Sequence, residues 1–413
     1  MSPRHDVGLA ALIVNYNTGS YAECCVESLL HEWRREGRAR EKLQIVLVDN
    51  ASPEPQQQYL ARIEALGVKV IRSSENLGYA RGMNLCYAET RGTSGDVVAI
   101  LNPDLHFLPG TIGKLLDYVL DDPRVGVVDP ATSVDPLGMV NLPPNLMPTP
   151  LEHVRITLAN MHPFFARLYS RYRLKKCMLW WTAKEPIVTD MLSGCCLFMR
   201  RAVIEELGRV MDPRYPLYFE DTDLFLTLSQ RGYKVVHHTG ARILHHWSRS
   251  AKVGGQPEDL ATQRYEVSRQ RFYEKFYGPI GRGIFAGMNA IGRRWPRHWI
   301  GRPIQPMTSL GELRAPPEIE LPRACRFLIE LSVLPSFTIC SGSFGEGKRW
   351  VCPPETWEWF FPLDYFARVL DLDTREVLGA YHFRKMDACR TEAMRTGEIE
   401  ALGERLLAHV PTR

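Results

Sequence analysis

The stretch Val97-Val98-Ala99-Ile100-Leu101-Asn102-Pro103-Asp104 sets the architecture of this chain. Its apolar, largely β-branched run reads as a buried strand that stops at a polar turn around Pro103. The sequence before it agrees. Residues 9–14, 43–48 and 68–71 read as further strands, while 21–35, 56–66 and 79–90 carry helical apolar spacing between them. Such alternation predicts an α/β domain with a Rossmann-like, mainly parallel sheet and a site at the strands' carboxyl ends.

Beyond this block the rhythm changes. A proline-rich stretch covers 135–150, and the aromatic, basic segment 151–181 reads as helical. A strand is expected at 197–199 and helices at 202–207 and 221–231, the last ending at Gly232, a left-handed cap. A strand at 233–236 runs into a His-rich stretch, 237–246, and 265–277 is helical again. Prolines 296, 303, 306, 316 and 317 mark a linker. Strand-like runs follow at 327–334, 337–340, 365–372 and 377–383, with a closing helix at 391–408. The expected organisation is a catalytic domain over 1–255, a helical extension over 256–300 and a small β-rich accessory domain over 301–413.

With 413 residues, 45% of them apolar and 24% charged, the chain has enough core to fold without disulfide or metal staples. Its net charge of +4 favours an anionic partner only weakly. The ten cysteines include the adjacent pairs Cys24-Cys25 and Cys195-Cys196 but show no zinc-ligand spacing, so buried, reduced thiols are expected. Residues 1–8 are short and polar, and no run is long enough to cross a bilayer. A cytoplasmic protein is the expectation, with peripheral contact at the inner face of the cytoplasmic membrane.

Polar residues collect directly after the predicted strands: Asp49-Asn50 after the second, Asn102-Pro103-Asp104 after the fourth. Each alone could be a strand-ending turn or a helix cap. Together they form a rim around one crevice. Val14-Asn15-Tyr16-Asn17, Val48-Asp49-Asn50-Ala51-Ser52, Asn76-Leu77-Gly78-Tyr79-Ala80-Arg81-Gly82-Met83-Asn84 and Leu101-Asn102-Pro103-Asp104 resemble the successive motifs of family 2 glycosyltransferases with the GT-A fold. Glu220-Asp221-Thr222-Asp223-Leu224 and His245-His246-Trp247-Ser248-Arg249-Ser250 continue the resemblance, which spans about residues 8 to 277. Within the family it is greatest to the rhamnosyltransferase-like branch of bacterial surface polysaccharide synthesis.

The resemblance implies an inverting transfer from a nucleotide-diphospho-sugar, with dTDP-rhamnose as the leading donor, to a glycan or lipid-linked acceptor. Nucleic acid is not an expected partner. A divalent cation, Mg2+ or Mn2+, would neutralise the leaving diphosphate. Asp104 matches the metal-binding aspartate of the family's Asp-x-Asp motif. Asn102 replaces the first aspartate, is a poorer cation ligand and would face donor ribose or phosphate. A further ligand is implied in the His-rich turn, with His245 preferred over His246. Asp49 matches the acceptor of a hydrogen bond from the base; Asn15 and Asn17 would line the base pocket, and Arg81 would meet base or phosphate. Asn76 and Gly78 belong to the same donor-binding motif. Asp221 matches the catalytic base, with Glu220 orienting its loop or touching the acceptor. Gly194 would allow close approach of backbone to sugar.

Two other readings compete. A sugar-1-phosphate nucleotidyltransferase would carry a Gly-rich, basic loop after the first strand, where this chain has Asn15-Tyr16-Asn17-Thr18-Gly19-Ser20. A catalytically silent glycan-binding scaffold would have lost one of the carboxylate centres, and both are present. In the last domain, Trp350, Trp357 and Trp359 could stack on sugar rings or form the core.

Overall fold

The computed structural model describes residues 7–93, 95–246, 258–296 and 301–402. Two compact units form. One comprises residues 1–132, 184–278 and 392–398; the other comprises 133–183, 279–391 and 399–413.

The first unit is built on β1 (Leu9–Asn15), β2 (Leu43–Asp49), β3 (Lys69–Arg72) and β4 (Val97–Leu101). These pair in parallel in the order β3-β2-β1-β4. Every residue of β1 and β4 is buried, as the unbroken apolar runs require. The helices α1 (Gly19–Arg35), α2 (Gln57–Ala65) and α3 (Tyr79–Ala88) supply the crossovers. The register Asn15↔Asp49 brings two motif residues side by side at the sheet's carboxyl edge.

Beyond β4 the sheet turns antiparallel. It adds β5 (Leu105–Phe107), β6 (Val125–Ser133), β7 (Ile187–Thr189), β8 (Cys196–Arg200) and β9 (Lys234–His245). β4 pairs with β8, and β5 and β7 both pair with β9. The pairing Leu105↔His245 sets the end of the His-rich strand beside Asp104. Helix α4 (Thr111–Asp121) covers this half.

The helices α5 (Pro150–Met161) and α6 (Pro163–Trp181) form a hairpin, each begun by a proline in its first turn. Helix α7 (Arg201–Leu207) precedes α8 (Glu220–Gln230), which opens on the sequence's second carboxylate centre. Helix α9 (Glu258–Arg294) is broken at Gly278, whose φ of 58° no helix accommodates. The unit boundary falls at that break.

The second unit holds a five-stranded sheet of β10 (Thr308–Leu313), β11 (Glu318–Ser332), β12 (Ser341–Val351), β13 (Asp364–Asp371) and β14 (Val377–Lys385). Its order is β10-β14-β13-β11-β12. The expected strand at 337–340 is instead a turn, because Phe337 takes a φ of 50° and its ring inserts into the core. Residues 403–408 of the expected closing helix lie outside the described residues.

This unit is larger than the β-rich segment read from sequence, since residues 133–183 and 279–296 belong to it as well. The reason is long-range polar anchoring. Trp181 Nε1 donates to Leu142 O at 2.7 Å, Asn141 bridges to Gly342, and Arg368 links Glu330 to Ser170 Oγ. Trp350, Trp357 and Trp359 are all buried, so these rings form core. Among the described residues no helix is long and apolar enough to cross a membrane, and every described cysteine is a free thiol.

Candidate functional site

At the end of β1, Asn15 is fully buried and its amide is used within the protein. Its Nδ2 donates to Asp49 Oδ1 at 2.7 Å, while its Oδ1 accepts from the backbone N and hydroxyl of Thr18 at 3.1 and 2.8 Å. Asn15 therefore ties Asp49 to the start of α1 rather than standing open to a ligand. Ser52 Oγ also donates to Asp49 Oδ1, at 2.6 Å, which leaves Oδ2 outside these contacts. Asn17 takes a left-handed φ of 57°, and its Nδ2 is buried without a partner. An unmatched donor in a buried place calls for an acceptor.

Asn76 Oδ1 accepts from Asn50 Nδ2 at 3.1 Å and from Gly78 N at 3.0 Å, closing the turn into α3. Gly78 has a φ of 78°, and a Cβ there would lie 3.1 Å from Pro216 O. Only glycine fits this position without strain. Arg81, on the first turn of α3, is exposed and points into a cleft of about 400 Å3. Asn84 is structural: its amide bonds the backbone at Val210 and Met211.

At the end of β4, Asn102 N donates to Cys195 O at 2.8 Å, and its Oδ1 accepts from Tyr79 OH at 3.0 Å. Asp104 is 2% exposed, with Oδ1 3.2 Å from His245 Nε2. Burial works to raise the Asp104 carboxyl, but His245 and His246 beside it hold it below its ordinary value. Burial works to lower the His245 ring, and Asp104 overrides it to push the ring well above the usual histidine range. The ring of His246 lies 5.6 Å from that of Tyr21. The following Trp247, Ser248, Arg249 and Ser250 lie outside the described residues.

Among the described residues no three His, Cys, Asp or Glu side chains gather as a metal site. A carboxylate and an imidazole in contact at one strand end nevertheless fit a cation whose remaining ligands are phosphate oxygens and water.

Glu220 and Asp221 open α8 behind two consecutive left-handed residues, Tyr218 (φ 63°) and Phe219 (φ 66°). Such backbone persists only where surroundings enforce it. Here Phe219 packs on Phe272 of α9 with ring centroids 5.3 Å apart, and Ser268 Oγ donates to Leu217 O at 2.7 Å. Asp223 is an anchor: it accepts from Tyr215 OH at 2.8 Å and from Lys275 Nζ at 2.6 Å. Burial, and then the Asp221 charge, push the Glu220 carboxyl up to about 8, and its Oε2 has no partner. Burial raises the Asp221 carboxyl too, against hydrogen bonds from the N and hydroxyl of Thr222.

Gly194 joins the two carboxylate centres. Its φ is 75°, and a Cβ there would overlap Asp221 Oδ2 and lie 3.1 Å from Asp221 Cγ. The next residue, Cys195, accepts the hydrogen bond from Asn102 N. Asp129 holds this turn by accepting from the N and Oγ of Ser193, both at 3.2 Å, while His237 Nδ1 lies 2.8 Å from its other oxygen.

Tyr79, Asp129 and Lys275 were not singled out by sequence reasoning. Tyr79 is the most telling of them. Burial, followed by the charges of Glu220 and Asp221, pushes its phenol well above the usual value, and its hydroxyl bonds Asn102. Its place inside the Asn76–Asn84 motif was the available signal.

A parallel half-sheet, a carboxylate at the end of β4 and a buried carboxylate pair at a helix start are features that a glycosyltransferase of GT-A architecture requires. Residues 10–208 match the family described as Glycosyl transferase family 2. The chain is similar to the N-acetylglucosaminyl-diphospho-decaprenol L-rhamnosyltransferase of Mycobacterium tuberculosis, at 29% identity over 260 residues, covering 59% of this chain and 77% of the relative. Among solved structures, it is similar to a mannosyltransferase from Pyrobaculum calidifontis in complex with GDP-Man and Mn2+ (16% identity, TM-score 0.39, covering 71% of this chain and 77% of that one). GalNAc-T7 with UDP, GalNAc and Mn2+ is another (17% identity, TM-score 0.44, covering 71% of this chain and 56% of that one).

Proposed function

We propose that this glycosyltransferase moves a sugar, with L-rhamnose from dTDP-rhamnose as the leading choice, onto a glycan or lipid-linked acceptor with inversion at the anomeric carbon. The observation that carries this reading is the Gly194-Cys195 turn, which touches Asp221 on one side and Asn102 on the other. One side suits the leaving nucleotide, the other the attacking hydroxyl. The Mycobacterium tuberculosis relative, by its name, acts on a sugar carried by a lipid diphosphate, which favours a lipid-linked acceptor here.

In this reading Asp49 Oδ2 accepts a hydrogen bond from the base, and Asn17 Nδ2 supplies the buried donor beside it. Asn15, Asn76 and Gly78 hold the walls of that pocket. Asp104 and His245 would hold Mg2+ or Mn2+, which when bound neutralises charge on the departing diphosphate. Asn102, already anchored by Tyr79, turns its amide toward the donor. Asp221 takes the proton from the acceptor hydroxyl as its oxygen attacks the anomeric carbon. Glu220 and Asp221, buried side by side, share their protons as a coupled pair whose carboxyls burial raises.

The test is donor binding and turnover together. Calorimetry with dTDP-rhamnose and other nucleotide-sugars, with Mn2+ and without it, should show binding that the metal strengthens. Asp104→Ala should weaken binding in the presence of Mn2+ by at least tenfold and leave metal-free binding nearly unchanged. Equal affinities for the variant and the wild type in Mn2+ would remove Asp104 from the metal site. A chain that binds glycans but no nucleotide-sugar would be a scaffold.

Peripheral membrane contact belongs to the same reading. In α6, Ala166, Tyr169, Arg173 and Cys177 are buried, and Arg173 donates to Pro144 O at 2.9 Å. The opposite face exposes Phe164, Leu168 and Leu179 among Arg171, Lys175 and Lys176. Apolar residues flanked by cations suit an anionic bilayer surface. In a flotation assay with phosphatidylglycerol vesicles the protein should rise with the lipid. Replacing Arg171, Lys175 and Lys176 by glutamate should leave it at the bottom, and indifference to that change would end the proposal.

A further inference from the structure

The cleft beside Arg81 shares Asn76 and Gly78 with the donor-binding motif, yet Arg214, Arg264 and Arg271, which also line it, have no part in the donor reading. Four guanidinium groups line it: Arg81 from α3, Arg214 from the segment before α8, and Arg264 and Arg271 from α9. Two are built into the wall. Arg214 grips Asp212 with contacts of 2.6 and 2.9 Å, and Arg271 donates to the carbonyl oxygen of Arg214. The other two, Arg81 and Arg264, meet no acidic partner among the described residues. Arg81 and Arg264, with no acidic neighbour to offset them, favour an anion in the space they share. The amino end of α3, with no acidic residue in its first turn, opens at Gly78 on the same space and adds its dipole.

Location separates this anion from the donor's diphosphate. Asp49, Asn102, Asp104 and His245 are absent from the lining of the cleft. Its other wall, Pro213 to Pro216, ends four residues before Glu220 and five before Asp221. Tyr265, next to Arg264, packs on Phe219 with ring centroids 5.4 Å apart, so an anion seated there borders the segment that opens on the carboxylate pair. A volume of about 400 Å3 takes a diphosphate with part of its attached groups. Guanidinium forks match phosphate oxygens in pairs, which a neutral sugar chain would not need.

We propose that this arginine-lined cleft seats the diphosphate of a lipid-diphosphate-linked sugar acceptor. The inference rests on the transferase reading and narrows its acceptor from any glycan to one carrying a diphosphate close to the reacting sugar. Arg81, by this account, serves the acceptor.

Farnesyl diphosphate, a short soluble probe, tests it on the full chain without metal or nucleotide. The wild type should bind it more tightly than farnesyl monophosphate or inorganic pyrophosphate. Arg264→Glu and Arg81→Ala should each weaken that binding about tenfold, the worth of one charge-assisted contact. Arg264→Lys, which keeps the charge but loses the fork, should fall between. With Mn2+, the affinity of the two Arg264 variants for the nucleotide-sugar should match the wild type. Loss of nucleotide-sugar affinity in parallel with farnesyl diphosphate would assign the cleft to the donor and overturn the proposal. Equal binding of inorganic pyrophosphate and farnesyl diphosphate would make it a free-anion site, also overturning it. Absence of farnesyl diphosphate binding in a protein that still binds nucleotide-sugar would refute the acceptor seat alone; absence of nucleotide-sugar binding would refute the transferase reading itself.

Discussion

Asp221→Asn should reduce the rate of sugar transfer by about a thousandfold or more while nucleotide-sugar affinity changes little. The amide keeps the shape and the hydrogen bonds from Thr222 but cannot take a proton. General-base catalysis contributes roughly 10²–10⁴-fold, and burial with the neighbouring Asp221 charge pushes the Glu220 carboxyl up to about 8, so it is a poor substitute base. The pH profile adds a separate readout. Both carboxyls are raised by burial, so wild-type turnover should climb through a limb set by the pair, well above the pH of an ordinary aspartate. Asp221→Asn should lose that limb. Single-turnover measurement across pH 4.5 to 9 would show it, and a variant with wild-type turnover would refute the base assignment.

Gly194→Ala should be nearly as damaging, though alanine has no chemistry of its own. The backbone at φ 75° strains any L side chain, costing about 1–3 kcal/mol. The new methyl also overlaps Asp221 Oδ2. That oxygen ends a short side chain, so the carboxylate can move aside, and the molecule should still fold. The movement takes the base away from its working position, and misplacement of about 1 Å can cost roughly a hundredfold. A fall in kcat of about a hundredfold, with a modest loss of Tm and unchanged nucleotide-sugar affinity, is the expected pattern. Wild-type kcat would mean that the proximity of Gly194 and Asp221 has no part in transfer.

Much of the parallel half-sheet was legible because β1 and β4 are unbroken apolar runs, β2 is interrupted only at Gln44, and polar residues follow each of them. The antiparallel half was harder. β6 contains Gly126 and Pro130 and carries little intrinsic strand signal; its place comes from pairing with β8 at Val128↔Phe198. The unit boundary escaped because residues 133–183 find their partners far along the chain, as Ser170 does with Arg368. Phe337 has strand-like chemistry but a φ of 50°, which composition does not reveal.

The candidate site divides in the same way. Asp104, His245, Glu220 and Asp221 were legible as motif residues in order. That Asn15 spends its amide on Asp49 and Thr18 could not be read from a motif, since it depends on the register of β1 and β2. Lys275 and Arg264 look like ordinary helical cations in sequence. They acquire meaning only when α9 lies against α8 and the segment before it, 52 residues away in the case of Lys275 and Asp223.

The left-handed pair Tyr218 and Phe219 has a consequence for anyone seeking a sturdier variant. Glycine at Tyr218, an exposed position, would relieve backbone strain in the folded state while widening the choices of the unfolded chain. The gain in robustness is therefore small, and the loosened hinge would let Glu220 and Asp221 wander. Selection for heat resistance and selection for speed pull against each other at this one turn, and random libraries screened for activity should return Tyr218 and Phe219 largely untouched.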